Sequence, residues 1–137
     1  MTPISFAERT LTELDHVRLE RLRRQGEALR VGDLLDLASV VPSREVAPDV
    51  VTMYSQVLVH EGEGEGGSAE PRRLTLCYPA DAEPGTGFIS VLSPVGLALL
   101  GLRVGEVARW SGPDGQPRAA TIAALLFQPE ASGDYTT

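Results

Sequence analysis

Between Ser93 and Glu106 the chain reads SPVGLALLGLRVGE, and this segment restricts the possible folds more than any other. Ser93 is a good N-cap, because its hydroxyl can accept a hydrogen bond from a first-turn N–H. Pro94 follows at the first helical position, where a missing N–H costs nothing. Leu97, Ala98, Leu99 and Leu100 make the helix apolar nearly all round, and Gly101 is a natural stop. Gly105 suits a tight turn into the next element. A helix apolar on every side has to be wrapped, and the flanking patterns are strands. One helix cannot cover both faces of a five-stranded sheet. The economical arrangement is an α+β fold in which a curved antiparallel sheet curls around the single helix.

The strands follow from alternation. VVTMYSQVLVH, Val50–His60, is β-branched and places Val51, Met53, Ser55, Val57 and Val59 on one side. RRLTLCYPA resumes with Leu74, Leu76 and Tyr78 alternating, and Phe88–Ser93 is a third strand. Glu106–Ser111 and Arg118–Gln128 close as a hairpin about GPDGQ. EGEGEGGSAEP, Glu61–Pro71, is too polar to pack and reads as a hairpin loop. No internal repeat is present.

The first forty residues have a different rhythm. Thr12 is a candidate N-cap, with Glu13 and Asp15 in the first turn, where the helix dipole favours acids. Glu13–Gln25 reads as a helix with a broken apolar stripe of Leu14, Val17, Leu19 and Leu22; Arg18, Arg21, Arg23 and Arg24 crowd its second half. Gly26 suits a break. A second helix is expected over Glu27–Val40, with Leu34, Leu35, Ala38 and Val41 near one face. The two form a short antiparallel hairpin that either docks on the body or projects from it; the sequence leaves both open. At 1.5 Å per residue the first helix spans only about 20 Å. Pro42–Asp49 loses all periodicity and reads as a linker. The expected division is therefore a hairpin over 1–41, a linker over 42–49 and a body over 50–137.

Composition narrows the function. All twelve basic residues are arginine, and the net charge is −7. Residues 1–40 hold six arginines against seven acids, while 41–137 hold six against twelve. That balance argues against sequence-specific or electrostatic nucleic-acid binding, which needs phosphate neutralisation, and favours a basic protein partner. Cys77 is the single cysteine, so no intramolecular disulfide forms. No apolar run approaches the ~20 residues that span a bilayer, and no signal peptide is evident. A cytoplasmic monomer is the expectation.

The residues that carry chemistry elsewhere lack the right company here. His16 and His60 are the only histidines, and no Cys/His/carboxylate spacing matches a metal site. Cys77 sits in a strand pattern as a small core residue. No G-x-S-x-G turn surrounds Ser93. Gly62–Gly67 lacks the lysine of a phosphate loop, and its glutamates would repel phosphate. Tyr78 and Trp110 read as core or sheet aromatics. A prolyl isomerase needs an aromatic-lined cavity, and the chain has only seven Phe, Trp and Tyr residues. The expectation is a protein that is not an enzyme and needs no cofactor or metal.

VVTMYSQV, CYPAD, ISVLSPVGLALLGLRVGE and FQPEASGDY occur in this order. Together they resemble the C-terminal domain shared by the bacterial transcript-cleavage factors GreA and GreB, and most closely the smaller family named regulator of nucleoside diphosphate kinase. The likeness covers Val50–Tyr135 and rests on the string S-P-x-G-x-A-L-x-G-x-x-x-G-[DE]. It implies an FKBP-like fold and binding to the rim of the RNA polymerase secondary channel. In the larger family a long coiled coil enters that channel, and acids at its tip hold a catalytic metal. Here the arm is short and its turn reads RRQGEALRVGD, where Glu27 and Asp33 are separated by arginines and leucines, so no metal site and no cleavage are expected. The resemblance places Ser93 and Pro94 in the docking surface; Leu92 stands where an acid often precedes Ser-Pro. Arg103 is a nearby exposed addition. The arginine-rich helix end, with Arg21, Arg23, Arg24 and Arg30, is a second candidate contact. The family name also points to regulation of nucleoside diphosphate kinase, directly or as a consequence of polymerase binding.

Overall fold

The computed structural model describes residues 9–24, 31–61 and 71–134. The expected turn at Gly26, the first part of the second helix with Glu27 and Arg30, the Gly/Glu-rich loop and Tyr135 lie outside the described residues. In chain order the elements are β1 (Thr10–Thr12), α1 (Glu13–Arg24), α2 (Val31–Leu37), β2 (Ser39–Val41), β3 (Gln56–Glu61), β4 (Arg72–Cys77), β5 (Phe88–Ser90), α3 (Pro94–Leu99), β6 (Val107–Ser111) and β7 (Pro117–Phe127).

Five strands form one curled sheet in the order β5-β4-β3-β7-β6, and α3 lies against it, as the apolar helix demanded. Three of the four pairings are antiparallel, but β4 and β5 run parallel through Thr75↔Phe88 and Cys77↔Ser90. A fully antiparallel sheet was expected. The connection explains the difference: two proline-led 3₁₀ turns, Pro79–Asp81 and Pro84–Thr86, carry the chain back to the start of β4 before β5 begins. Gly87, at φ 88°, completes the return. The β3–β7 register shifts twice, at Gln56/Val57 and Leu58/Val59, and such irregularities increase strand bending.

The alternation from Val51 to Val59 holds: Val51, Met53, Ser55, Val57 and Val59 are all buried. The strand itself starts only at Gln56, because the chain turns at Met53–Tyr54, where Tyr54 adopts a left-handed φ of 63°. Thr12 caps α1, its Oγ1 accepting from Asp15 N at 3.1 Å. Of the expected stripe on α1, Leu19 is fully buried, Leu14 and Leu22 are half-buried, and Val17 is exposed. The second helix stops sooner than expected. It ends at Leu37, and Ser39–Val41 becomes a strand that pairs parallel with Thr10–Thr12. The β-branched pair Val40–Val41 favours that exchange, since branched side chains are stiff in helices and pack well in strands.

The hairpin docks. Leu11, Leu19, Leu34 and Leu35 belong to the same buried cluster as Met53, Leu76, Leu99 and Leu100. Thr10 N donates to Gly101 O at 3.1 Å, and Met53 N donates to the Asp15 carboxylate at 3.1 Å. Among the described residues no helix is long and apolar enough to cross a membrane.

Candidate functional site

The start of α3 is fixed by four short-range bonds. Ser93 Oγ accepts from Gly96 N at 3.1 Å and donates to Ser90 O at 2.7 Å. Ser93 N donates to the same carbonyl at 3.0 Å, and Ser90 Oγ accepts from Leu92 N at 3.1 Å. Gly96 is buried against this turn so tightly that a Cβ there would stand 2.0 Å from Ser90 O. Ser93 and Gly96 are therefore set by local geometry, and Pro94 is the part of the motif left exposed.

The far end of α3 is held by the N-terminal segment. Arg9 Nη1 donates to Leu100 O at 2.8 Å and Leu97 O at 3.3 Å, placing a cation where the helix leaves carbonyls unpaired. Burial lowers the Arg9 pKa to about 10, against the opposing pull of Glu106, so the guanidinium remains charged at neutral pH. Gly101 follows at φ 83°, and a Cβ there would meet Arg9 Cβ and Thr10 O, each at 3.0 Å. Arg103 lies beyond this end of the helix, not beside Ser93 and Pro94. Its guanidinium pairs with Asp49 at 3.1 Å, and its N–H donates to Glu106 Oε1 at 2.7 Å.

The FQPEAS stretch also has a structural task. Gln128 Nε2 donates to Ala47 O at 2.9 Å and Val50 O at 2.7 Å, fastening the linker to the end of β7. Glu130, buried, accepts from Thr52 Oγ1 at 2.6 Å. Its charge faces Asp15, which is 1% exposed. Burial, chiefly, and then the Glu130 charge raise the Asp15 pKa to about 6, while the bonds from Met53 N and Thr12 and the Arg18 charge work the other way. Asp15 Oδ1 has no hydrogen-bond partner among the described residues.

The arginine-rich helix meets the body at the end of β4. Arg18, Arg21 and Leu22 from α1 face Tyr78, Pro79 and Ala80 across an open cleft of about 590 Å³. The Arg18 guanidinium carbon lies 5.9 Å from the centre of the Tyr78 ring, and Tyr54 packs edge-on to Tyr78 at 5.8 Å. Tyr54 Oη donates to the Asp81 carboxylate; burial first, then Asp81, pushes its pKa up to about 12. Burial and the Asp15 charge push the Tyr78 phenol well above its ordinary range. Arg23 instead bridges α1 and α2 through Asp36 at 3.2 Å, and Arg24 is exposed.

The structure thus joins Arg21 to the Tyr78–Ala80 loop, which the sequence marked within the CYPAD likeness but not as a contact. Tyr78 and Pro79 had one available signal: CYPAD is among the stretches that carry the family resemblance, and its Tyr-Pro pair follows directly on a strand. β4 and β5 are parallel, so Tyr78–Asp81 and Val91–Pro94 leave the same end of the sheet; Val91 N donates to Cys77 O at 2.9 Å there. Cys77 is buried, and burial raises its thiol pKa, which suits a packing role. Among the described residues no three His, Cys, Asp or Glu side chains gather as a metal site. This end of the molecule presents guanidinium donors, aromatic faces and an exposed proline.

Residues 46–126 match the family described as transcription elongation factor, GreA/GreB, C-term. The regulator of nucleoside diphosphate kinase from Escherichia coli K12 is 37% identical over 131 residues, covering 91% of this chain and 93% of that protein. The transcription elongation factor GreA of Clostridium beijerinckii is 32% identical over 104 residues, covering 76% of this chain and 62% of the factor. Among solved structures, a prokaryotic transcription elongation factor GreA/GreB from Nitrosomonas europaea matches with a TM-score of 0.71 and 36% identity, over 88% of this chain and 98% of that one. These named relatives are elongation factors and regulators. With the wrapped α3, its Ser-Pro start and a match over most of the body, the chain belongs to the GreA/GreB family of transcription elongation factors, in the branch that resembles regulators of nucleoside diphosphate kinase.

Proposed function

We propose that this protein binds RNA polymerase at the rim of the secondary channel and modulates elongation there without promoting transcript cleavage, working as a cytoplasmic monomer. The observation that carries the reading is the short, docked arm. Among the described residues α1 has twelve and α2 seven, and twelve residues of helix reach about 18 Å. Leu11, Leu19, Leu34 and Leu35 of the arm are committed to the body's core, and Arg9, Thr10 and Asp15 bond it to the body. Such an arm supports occupancy of a channel entrance rather than delivery of a metal to a distant catalytic centre. Pro94 with the Ser93 turn is the proposed contact, together with Arg21 and, more peripherally, Arg24 and Arg103.

The test is a transcript-cleavage assay on stalled elongation complexes. The expected result is no cleavage above the polymerase's own rate, together with retention of core polymerase on the immobilised protein. Robust cleavage by the purified protein refutes the reading. The name of the Escherichia coli relative supports a second reading, regulation of nucleoside diphosphate kinase. Retention of the purified kinase, with core polymerase passing through, would favour it.

A further inference from the structure

We propose that the cleft between α1 and the end of β4 seats an acidic side chain of the polymerase, and that Arg21 is its principal contact; this rests on the polymerase-binding reading. The cleft wall combines two guanidinium groups, a tyrosine ring and the apolar surfaces of Leu22, Pro79 and Ala80. Among the described residues no carboxylate lines it. Of the acids near it, Asp81 holds Tyr54, and Asp15 is buried, bonded to Met53 N and within electrostatic reach of Arg18 rather than Arg21. Arg21 is exposed and forms no ion pair or hydrogen bond with another described residue, whereas Arg23 is taken by Glu20 and Asp36.

On a molecule of net charge −7, Arg21 over an apolar floor, beside the Arg18 that covers the Tyr78 ring, selects an acid carried next to an apolar residue. Arg and Tyr are also the residue types that dominate interface energetics when a partner shields them from water. The position fits as well. The Tyr78–Asp81 loop emerges beside the Val91–Pro94 turn at one end of the sheet, so an occupant of the cleft and a surface resting on Pro94 can belong to one partner.

Binding of full-length protein to core polymerase, titrated at two salt concentrations, tests this with Arg21→Glu, Arg21→Lys and, as a surface control in the distant β6–β7 hairpin, Arg118→Glu. The expected result is a tenfold or greater loss for Arg21→Glu, a loss under threefold for Arg21→Lys, and no change for Arg118→Glu. Equal binding by wild type and Arg21→Glu overturns the cleft assignment and leaves the polymerase reading standing. Failure of the wild type to bind overturns both. A photo-crosslinker at Ala80 gives an independent readout: attachment to a polymerase segment carrying Asp or Glu supports the proposal, and attachment to a segment without one contradicts it.

Discussion

At Gly96 a hydrogen is the largest substituent the fold admits. A methyl group there would sit inside the contact radius of the Ser90 carbonyl, which is backbone and cannot rotate away. Gly96→Ala should therefore destabilise the protein by about 3 kcal/mol, near the upper end for overpacking, in a urea titration. Ser93→Ala removes a cap whose acceptor bond is seen, and should cost about 1 kcal/mol. Pro94→Ala should leave stability almost untouched and weaken polymerase binding, which separates the contact from the cap. Asp15 gives a pH signature. Its folded pKa, about 6, lies above the ordinary 3.8, so between those values the folded state holds more protons than the unfolded state. The contribution to stability is complete below pH 4, is lost as pH rises through about 6, and is flat above. Asp15→Asn mimics the protonated form. Its stability relative to wild type should rise between pH 4 and pH 7 by about 2–3 kcal/mol, as measured by denaturation at each pH. A difference independent of pH would show that burial and Glu130 do not act on Asp15 as described.

The elements show why some of the fold was legible and some was not. α3 was readable because cap, N1 proline, apolar circumference and glycine stop all agree within a few residues. The β3 and β6–β7 patterns were readable because alternation is a local property. The second helix was misjudged at its C-terminal end: Leu34 and Leu35 do face the core, but Val40 and Val41 pair with Leu11 and Thr12, twenty-nine residues earlier in the chain. A partner that distant leaves no local periodic trace. The parallel β5 was hidden for the same reason, since two proline-led turns decide its direction. The cleft needed α1 beside β4, a tertiary fact. The arm is also an element with a structural duty. Removing residues 1–41 would strip Leu11, Leu19, Leu34 and Leu35 from the core and leave the carbonyls of Leu97 and Leu100 without Arg9. The 42–137 fragment should lose cooperative unfolding and bind hydrophobic dye. A sharp, native-like transition would show instead that the body folds alone.

At the scale of the whole molecule, the features combine into an acidic body with an arginine-lined notch and an arm folded against its side. The charge division is functional in the proposed complex. The acidic body favours a basic surface, and the notch accepts an acid within it, so association should weaken as salt rises, through screening at the rim. Arg103 stands at the opposite end of α3 from Pro94, tied to Asp49, so Arg103→Ala should alter polymerase affinity less than Arg21→Glu. The central claim is occupancy of the channel entrance by a protein whose arm does not reach the catalytic centre. Its most direct test is displacement of fluorescently labelled protein from core polymerase by unlabelled GreA. Mutually exclusive binding, with a competition midpoint that scales with the labelled protein's concentration, is the predicted result. Simultaneous binding of both factors to one polymerase would contradict the account.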